Sequence, residues 1–335
     1  MDIQHRIDLL TMLGKYMVSD DKNFEAIKRQ AEIENPWFIR SFIDLAVENI
    51  ANNFLNREKL ENWIQDYPVF GEKRYPKKVG IVMAGNIPLV GFHDFLSVFI
   101  SGNAAMIKPS GKDQVLIKHL TQKLCEWDDE AAAMIEYPET LKNCNAYICT
   151  GGSNAGRYFE YYFGNYQSII RKNKTSTAIL TGSETTADLD KLSDDIQLYF
   201  GLGCRNVTQL FVPENYDFIP LLSALEKYNF LMDHNKYKNN FDYQLALMIM
   251  NSKPYMTNNN ILLLQSDALF APVSVLNYSF YDNKLLTDAN LIANDKVQCI
   301  VGEGESFVPF GQSQIPQLND FADGVNTLAF LADLS

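Results

Sequence analysis

Cys204 stands in the stretch GLGCRNVTQLFVP (201–213), between a Gly-x-Gly step and a run that turns apolar and extended. A thiolate is both a good nucleophile and a good leaving group, so a cysteine at such a junction suits acyl transfer. A free thiol, with a pKa of about 8.5, is mostly protonated at neutral pH, so a helix end or backbone amides would have to activate it. The remaining cysteines, Cys125, Cys144, Cys149 and Cys299, read as small buried apolar residues.

Three more places bring polar or glycine residues to the end of an apolar run. MAGNIP ends one run with Asn86, whose side-chain amide can donate to an oxyanion, an interaction worth about 3–4 kcal/mol at a single site. The same residue would equally cap the next helix or support the turn at Pro88. MIKPSGKD ends a second run with Lys108, whose ammonium can reach a ribose hydroxyl or a phosphate. Position 111 is glycine, so no carboxylate there repels a 2′-phosphate, and Lys112 adds a second cation; the plain alternative is a solvated loop lysine. ICTGGSNAGR ends a third run and opens a helix, with Gly151 and Gly156 able to admit a phosphate to the helix N-terminus. This is not a G-x-G-x-x-G fingerprint, and an ordinary strand-to-helix turn explains it as well. The basic run RKNK (171–174) reads as a solvated strand edge, or as a contact for the phosphates of a large anionic substrate. His93 and His234 lack sequence neighbours that would specify a base or a ligand.

The elements that must position these residues follow from periodicity. Residues 3 to about 67 read as helical, with Asn35-Pro36 capping a helix that carries Phe38, Phe42, Leu45 and Ala46 at helical spacing. KKVGIV, the helix GFHDFLSVFISGN and the strand AAMIK form a βαβ unit. The pattern continues through the helix KDQVLIKHLTQKLCEWDD, the strand NAYICT, the helix NAGRYFEYYFG and the runs YQSII and STAIL. Strands alternating with helices predict a mostly parallel sheet whose ligands lie beyond the carboxyl ends of its strands. The helix ADLDKLSDDIQLYF, with Leu189, Leu192, Ile196 and Phe200 in phase, then leads to Cys204. Further strands and helices (TQLFVP, NNFDYQLALMIM, ILLLQS, APVSVLNY, KVQCIVG) predict a second α/β lobe.

Composition sets the frame. A chain of 335 residues is large enough that one core normally splits in two. The formal net charge of −12 opposes nucleic-acid and anionic-membrane partners. MDIQHRIDLL carries no cationic leader, and no run approaches the ~18 apolar residues of a membrane span, so a cytoplasmic protein is expected. Five scattered cysteines with no C-x-x-C pair suggest neither a disulfide framework nor a metal site.

Taken in order, these motifs resemble the aldehyde dehydrogenase superfamily, and within it the acyl-CoA reductases of the LuxC type, over residues 75 to 335. AGNIP resembles the Pro-Trp-Asn-x-Pro strand end that supplies an oxyanion amide, with Gly85 where tryptophan stands. SGNAAMIKPS is similar to Gly-Asn-x-x-x-x-Lys-Pro-Ser, which implies cofactor contacts at Lys108 and Ser110; CTGGSNAGR is similar to Phe-Thr-Gly-Ser-x-x-x-Gly-Arg, which implies them at Thr150, Gly151 and Gly152. Cys204 lies seven residues before Phe211-Val212, as the superfamily nucleophile lies before its Phe-Val pair. ALFAPV resembles Glu-x-Phe-Gly-Pro-Val, and VPFGQSQIPQLNDFADGVNTLAFL is similar to the closing segment of LuxC-type proteins. Two departures matter. Ile170 stands where hydrolytic members carry a general-base glutamate, and Ala268 replaces the glutamate that grips the nicotinamide ribose.

The resemblance implies an aldehyde-dehydrogenase-like α/β fold of two lobes, one with a mostly parallel dinucleotide-binding sheet and one carrying the cysteine. The expected division is a helical segment at 1–70 packed on the cofactor domain, a dinucleotide-binding domain at 71–183, a catalytic domain at 184–305, and a closing segment at 306–335 that returns to the cofactor domain. The implied activity is NADPH-dependent reduction of a fatty acyl-CoA to aldehyde and CoA through a thioacyl-Cys204, with NADH also admissible. Cys204 and Asn86 would be catalytic, and Lys108, Ser110, Thr150, Gly151 and Gly152 would bind cofactor. The alternatives are a hydrolytic aldehyde dehydrogenase and a non-catalytic dinucleotide-binding protein. Acyl-CoA is the expected substrate, and a homo-oligomer is left open.

Overall fold

Acidic and amide side chains start the first helices by accepting backbone N–H groups that have no partner inside the helix. In the computed structural model, which describes residues 1–72 and 75–334, Asp2 caps α1 (Ile3–Met17) by accepting the His5 N–H at 2.8 Å. Asp21 caps α2 (Lys22–Glu34) through Phe24, α3 (Arg40–Asn49) runs on into a π-helical turn at Ile50–Phe54, and Asn56 caps α4 (Arg57–Ile64). Leu9, Leu10, Leu13 and Met17 form the buried face of α1 at helical spacing. Asn35 corrects the sequence expectation: it closes α2 and does not open α3, whose N-cap is Ile39. Pro36 disfavours helical backbone in the residue before it, so the helix stops there. Asn35 then accepts the Trp37 N–H at 3.1 Å and reaches the Lys112 carbonyl, also at 3.1 Å.

The chain continues through β1 (Lys78–Val82), α5 (Phe92–Ile100), β2 (Ala104–Lys108), α6 (Val115–Trp127), α7 (Asp129–Ala132), β3 (Ile135–Glu136), β4 (Ala146–Thr150), α8 (Ser153–Phe163) and β5 (Gln167–Arg171). These strands make a parallel sheet in the order β3-β2-β1-β4-β5. Strand order reverses at β1, and in open sheets of this kind the crevice beyond the carboxyl ends at the reversal takes ligands. Val79, Ile81, Ala105, Ile107 and Ile148 pack with Phe95 and Phe99 of α5 and with Leu10, Leu13 and Phe24 of the first helices in one apolar core.

A second sheet uses β6 (Thr175–Ile179), β7 (Val207–Pro213), β8 (Met256–Thr257), β9 (Leu262–Gln265), β10 (Val275–Tyr281) and β11 (Val297–Gly302) in the order β11-β6-β7-β10-β9-β8, with only β8 antiparallel to its neighbour. Its helices are α9 (Thr186–Gln197), α10 (Ile219–Leu225), α11 (Asn235–Met250) and α12 (Lys284–Ile292). The chain thus divides into a first unit of Met1–Asn173 with the residues from Pro316 onward, and a second unit of Lys174–Ile315. The first crossing lies ten residues before the expected 183/184 boundary, because STAIL is β6 and pairs with β7 and β11. The return comes at 316, later than the expected 306, because Asp195 on α9 binds the N–H groups of Gly311 and Ser313. The helix expected to reach Phe200 stops at Gln197.

Back in the first unit, Asn326 caps α13 (Thr327–Ala332), whose Leu328 and Leu331 enter the first core. The His93 ring nitrogen Nε2 lies 3.0 Å from the Leu318 carbonyl, and burial holds this imidazole below its usual pKa. Among the described residues, no helix is long and apolar enough to cross a membrane.

Candidate active site

The path from α9 to Cys204 is wound left-handed. Tyr199 (φ 54°), Phe200 (φ 58°) and Gly201 (φ 71°) follow one another, and only the glycine accepts this without strain. Each aromatic residue costs roughly 1–2 kcal/mol in backbone energy, offset by burial of both rings. The α9 carboxyl end faces this loop, and such an end favours cations, not a thiolate. Its carbonyls are occupied instead by the fully buried Asn206, whose Nδ2 donates to Leu198 (2.9 Å), Asp195 (3.2 Å) and Ile196 (3.3 Å). Asn206 Oδ1 accepts the Gly203 N–H at 2.8 Å, and the Asn206 N–H donates to the Gly203 carbonyl at 3.1 Å.

Cys204 itself is half-buried. Its carbonyl accepts a hydrogen bond from Ser176 Oγ on β6 at 3.0 Å, and the same hydroxyl lies 3.1 Å from Cys299 Sγ. On the other side Arg205 Nε donates to the Ser313 carbonyl at 2.7 Å. Ser313 is held in turn by Asp195, whose carboxylate accepts the N–H groups of Gly311 (2.6 Å) and Ser313 (2.9 Å). Burial raises the Asp195 pKa to about 6 against the opposing pull of those hydrogen bonds. The loop backbone is therefore fixed before, at and after the thiol. Sequence reasoning missed Asn206, Ser176 and Asp195. An Asn two residues after the cysteine is a turn signal, but nothing local marks the other two.

The other candidate residues gather at the carboxyl edge of the first sheet. Val82 pairs with Lys108 on one side and Cys149 on the other, so the ends of β1, β2 and β4 stand side by side. Asn86 is exposed beyond β1, and it does not cap α5, whose N-cap is Gly91 with no side-chain cap. Gly85 has a packing reason: a Cβ there would lie 2.6 Å from both Cβ and Oγ of Ser110. No bulkier residue fits where the superfamily carries tryptophan. Lys108 is exposed and donates to the Glu139 carbonyl at 2.8 Å, while Ser110 Oγ accepts the Lys112 N–H at 3.3 Å. The Thr150 hydroxyl is shielded from solvent and has no hydrogen-bond partner among the described residues. Gly151 packs against Ala155 and Phe159, whereas Gly152 faces open space and is the N-cap of α8.

This donor set fits a dinucleotide. An unpartnered hydroxyl, an open glycine backbone at a helix N-terminus, and one lysine at the end of β2 with another four residues on match ribose hydroxyls and a diphosphate.

Two sequence readings change. The RKNK run is not a wholly solvated edge: Arg171 is buried, with Nη1 on Asp94 Oδ2 at 2.6 Å and Nη2 on Thr327 Oγ1 at 3.1 Å. The end of β5 faces the first turn of α5, and Asp94 there neutralises the guanidinium; Lys172 and Asn173 are exposed, with Lys172 3.7 Å from Glu160. Ile170 lies half-buried in β5 beside Cys149. Ala268 lines a cavity of about 600 Å³ with Phe211, Leu269, Asn290 and Lys296, and a methyl group at this position offers no hydrogen bond to a ribose. The loop is held from below by Thr208 Oγ1 on the Leu269 carbonyl at 2.6 Å and by Asn277 Nδ2 on the Ala268 carbonyl at 2.8 Å.

Comparison with solved structures places the fold. An aldehyde dehydrogenase from Physcomitrella patens, solved with succinate, has a TM-score of 0.72 at 12% identity, covering 99% of this chain and 84% of that one. An indole-3-acetaldehyde dehydrogenase from P. syringae, solved with NAD+, has a TM-score of 0.64 at 12% identity, covering 90% and 72%. A propionaldehyde dehydrogenase from a Clostridium phytofermentans microcompartment has a TM-score of 0.60 at 10% identity, covering 95% and 82%. No curated protein sequence matches the chain. The sequence profile described as "Acyl-CoA reductase (LuxC)" matches residues 14–218, a span that holds Asn86, Lys108, Thr150 and Cys204. The chain therefore belongs to the LuxC family of acyl-CoA reductases, NAD(P)-dependent oxidoreductases on the aldehyde dehydrogenase fold.

Proposed function

We propose that the protein reduces a fatty acyl-CoA thioester to aldehyde and CoA, with NADPH as hydride donor and Cys204 as the acyl carrier. The observation that carries this reading is the rigid frame around Cys204, whose own carbonyl is held by Ser176 and whose flanks are held by Asn206 and Arg205. A nucleophile fixed in this way needs little reorganisation before attack.

The Cys204 thiolate attacks the thioester carbonyl, forming a new C–S bond and a tetrahedral oxyanion. The Asn86 amide donates to that oxyanion, a role worth about 10²–10³ in rate. Collapse breaks the C–S bond to CoA, which leaves as a thiolate and takes up a proton. Lys108, Ser110, Thr150 and the backbone at Gly151 and Gly152 would hold and orient the dinucleotide, which when bound would supply the hydride that the acyl carbon on Cys204 accepts. Cys204 then carries a thiohemiacetal, which collapses to aldehyde and regenerates the thiolate. Ile170 supplies no base for water, so the acyl-enzyme persists until hydride arrives. The preference for NADPH is supported by Gly111, where added side-chain atoms would meet open space, and by the exposed Lys112 beside it.

The test is to mix the protein with short-, medium- and long-chain acyl-CoA and measure CoA release together with the intact mass. Wild-type protein should release CoA and gain the acyl mass, and Cys204→Ala should do neither. An unlabelled wild-type protein, or a labelled Ala variant, would overturn the mechanism. Aldehyde oxidation that proceeds without CoA would favour the hydrolytic reading.

A further inference from the structure

The turn after β2 carries a carboxylate that the reaction above does not use. Asp113 is only 6% exposed, and its Oδ2 accepts the Leu89 N–H at 2.7 Å. The neighbouring Val90 N–H also favours the charged form of this carboxylate. Oδ1 has no partner among the described residues, and burial pushes this carboxyl well above its usual pKa. Polar atoms left unpaired in an interior are uncommon and call for a reason.

The reason is local geometry. Leu89 is buried in the left-handed region (φ 57°), and its N–H is turned onto the Asp113 carboxylate. Asp113 is itself held in place: its N–H donates to the Ser110 carbonyl at 3.0 Å, and Asn35 Nδ2 holds the adjacent Lys112 carbonyl at 3.1 Å. On the near side of Asn86, Gly85 fits against Ser110 so closely that a Cβ would collide with it. Asn86 is thus bracketed, with Gly85 against the 110–113 turn before it and Leu89 clamped by Asp113 after it.

We infer that Asp113 is a positioning residue that sets the direction of the Asn86 amide by clamping the loop between β1 and α5. The inference rests on the reading of Asn86 as the oxyanion donor. A residue that acts through Asn86 has a signature that general loop stability lacks: its effect on acylation vanishes once the Asn86 amide is gone.

The experiment is a double-mutant cycle on single-turnover CoA release, with hydrogen exchange at residues 84–91 measured in the same proteins. Asp113→Ala should slow acylation by about 10²-fold, the scale of a lost oxyanion donor, without weakening NADPH binding. Asp113→Asn keeps an acceptor oxygen for the Leu89 amide and should recover most of the rate. In an Asn86→Ala background Asp113→Ala should change the rate less than about twofold, because residues acting as a unit are not additive. An equal loss in both backgrounds, or no loss in wild-type background, overturns the inference. If wild-type protein releases no CoA, the reaction has failed and not the clamp; exchange at Leu89 then decides, since Asp113→Ala must accelerate it and unchanged exchange overturns the inference.

Discussion

Replacing Asn206 should show how far the thiol's position depends on one amide. The side chain is fully buried and makes four hydrogen bonds: one accepted from Gly203, and three donated to the carbonyls that end α9. Asn206→Ala leaves the Gly203 N–H without this acceptor and the carbonyls without this donor. A buried group left unsatisfied costs about 1–3 kcal/mol. The carbonyls share one donor group, so the total should be about 3–5 kcal/mol, a large part of the roughly 5–15 kcal/mol that holds a typical domain together. Asn206→Asp is the sharper probe, because it keeps the shape but turns an oxygen toward three carbonyl oxygens. At pH 7 it should be at least as destabilising as alanine, and part of the loss should return in acid, where a protonated carboxyl can donate again. The assay is the urea midpoint by circular dichroism, with hydrogen exchange in peptides covering 195–206. An Asn206→Asp variant as stable as wild type at pH 7 would refute the reasoning.

Other expectations follow from single contacts. Asp195 has its pKa raised from 3.8 to about 6, so the native state binds more protons than the unfolded chain between those values; about 3 kcal/mol of stability is present below pH 4 and lost as pH rises through 6. Urea midpoints measured from pH 4 to pH 7 should show that fall, and Asp195→Asn should flatten it. Arg171→Met strands Asp94 in the first core and should cost about 3–5 kcal/mol, whereas adding Asp94→Leu should restore most of it; thermal melts of the single and double variants check this. Gly85→Ala should lower the melting temperature by collision with Ser110, and Ser110→Gly in the same chain should relieve it.

The sequence made the strand ends readable because each closes an apolar run with a polar or glycine residue, and the thiol readable because Gly-x-Gly precedes it. What stayed hidden depends on partners far along the chain. Arg171 reads as surface charge until Asp94, 77 residues earlier, is placed opposite it. Asp113 reads only as part of the helical stretch KDQVLIKHLTQKLCEWDD, since the Leu89 amide that claims it lies 24 residues back. STAIL reads as the next strand of the first sheet because a strand's pattern reveals its burial and not its neighbours. Asn35 misleads for a local reason: Asn-Pro marks a helix boundary, and only the direction of the chain decides whether a helix begins or ends there.

The split of the first unit has a consequence for biosynthesis. Leu328 and Leu331 complete an apolar core laid down by the first helices and β1, yet about 140 residues of the second unit are made in between. At about 5–20 residues per second, ribosomes need roughly seven to thirty seconds to cross that stretch. For that time the place of α13 is vacant and the Arg171 guanidinium lacks its Thr327 contact. The second unit, continuous from Lys174 to Ile315, has every strand of its sheet before the first unit can close. The second unit can therefore finish its own sheet while the first still waits for its last helix.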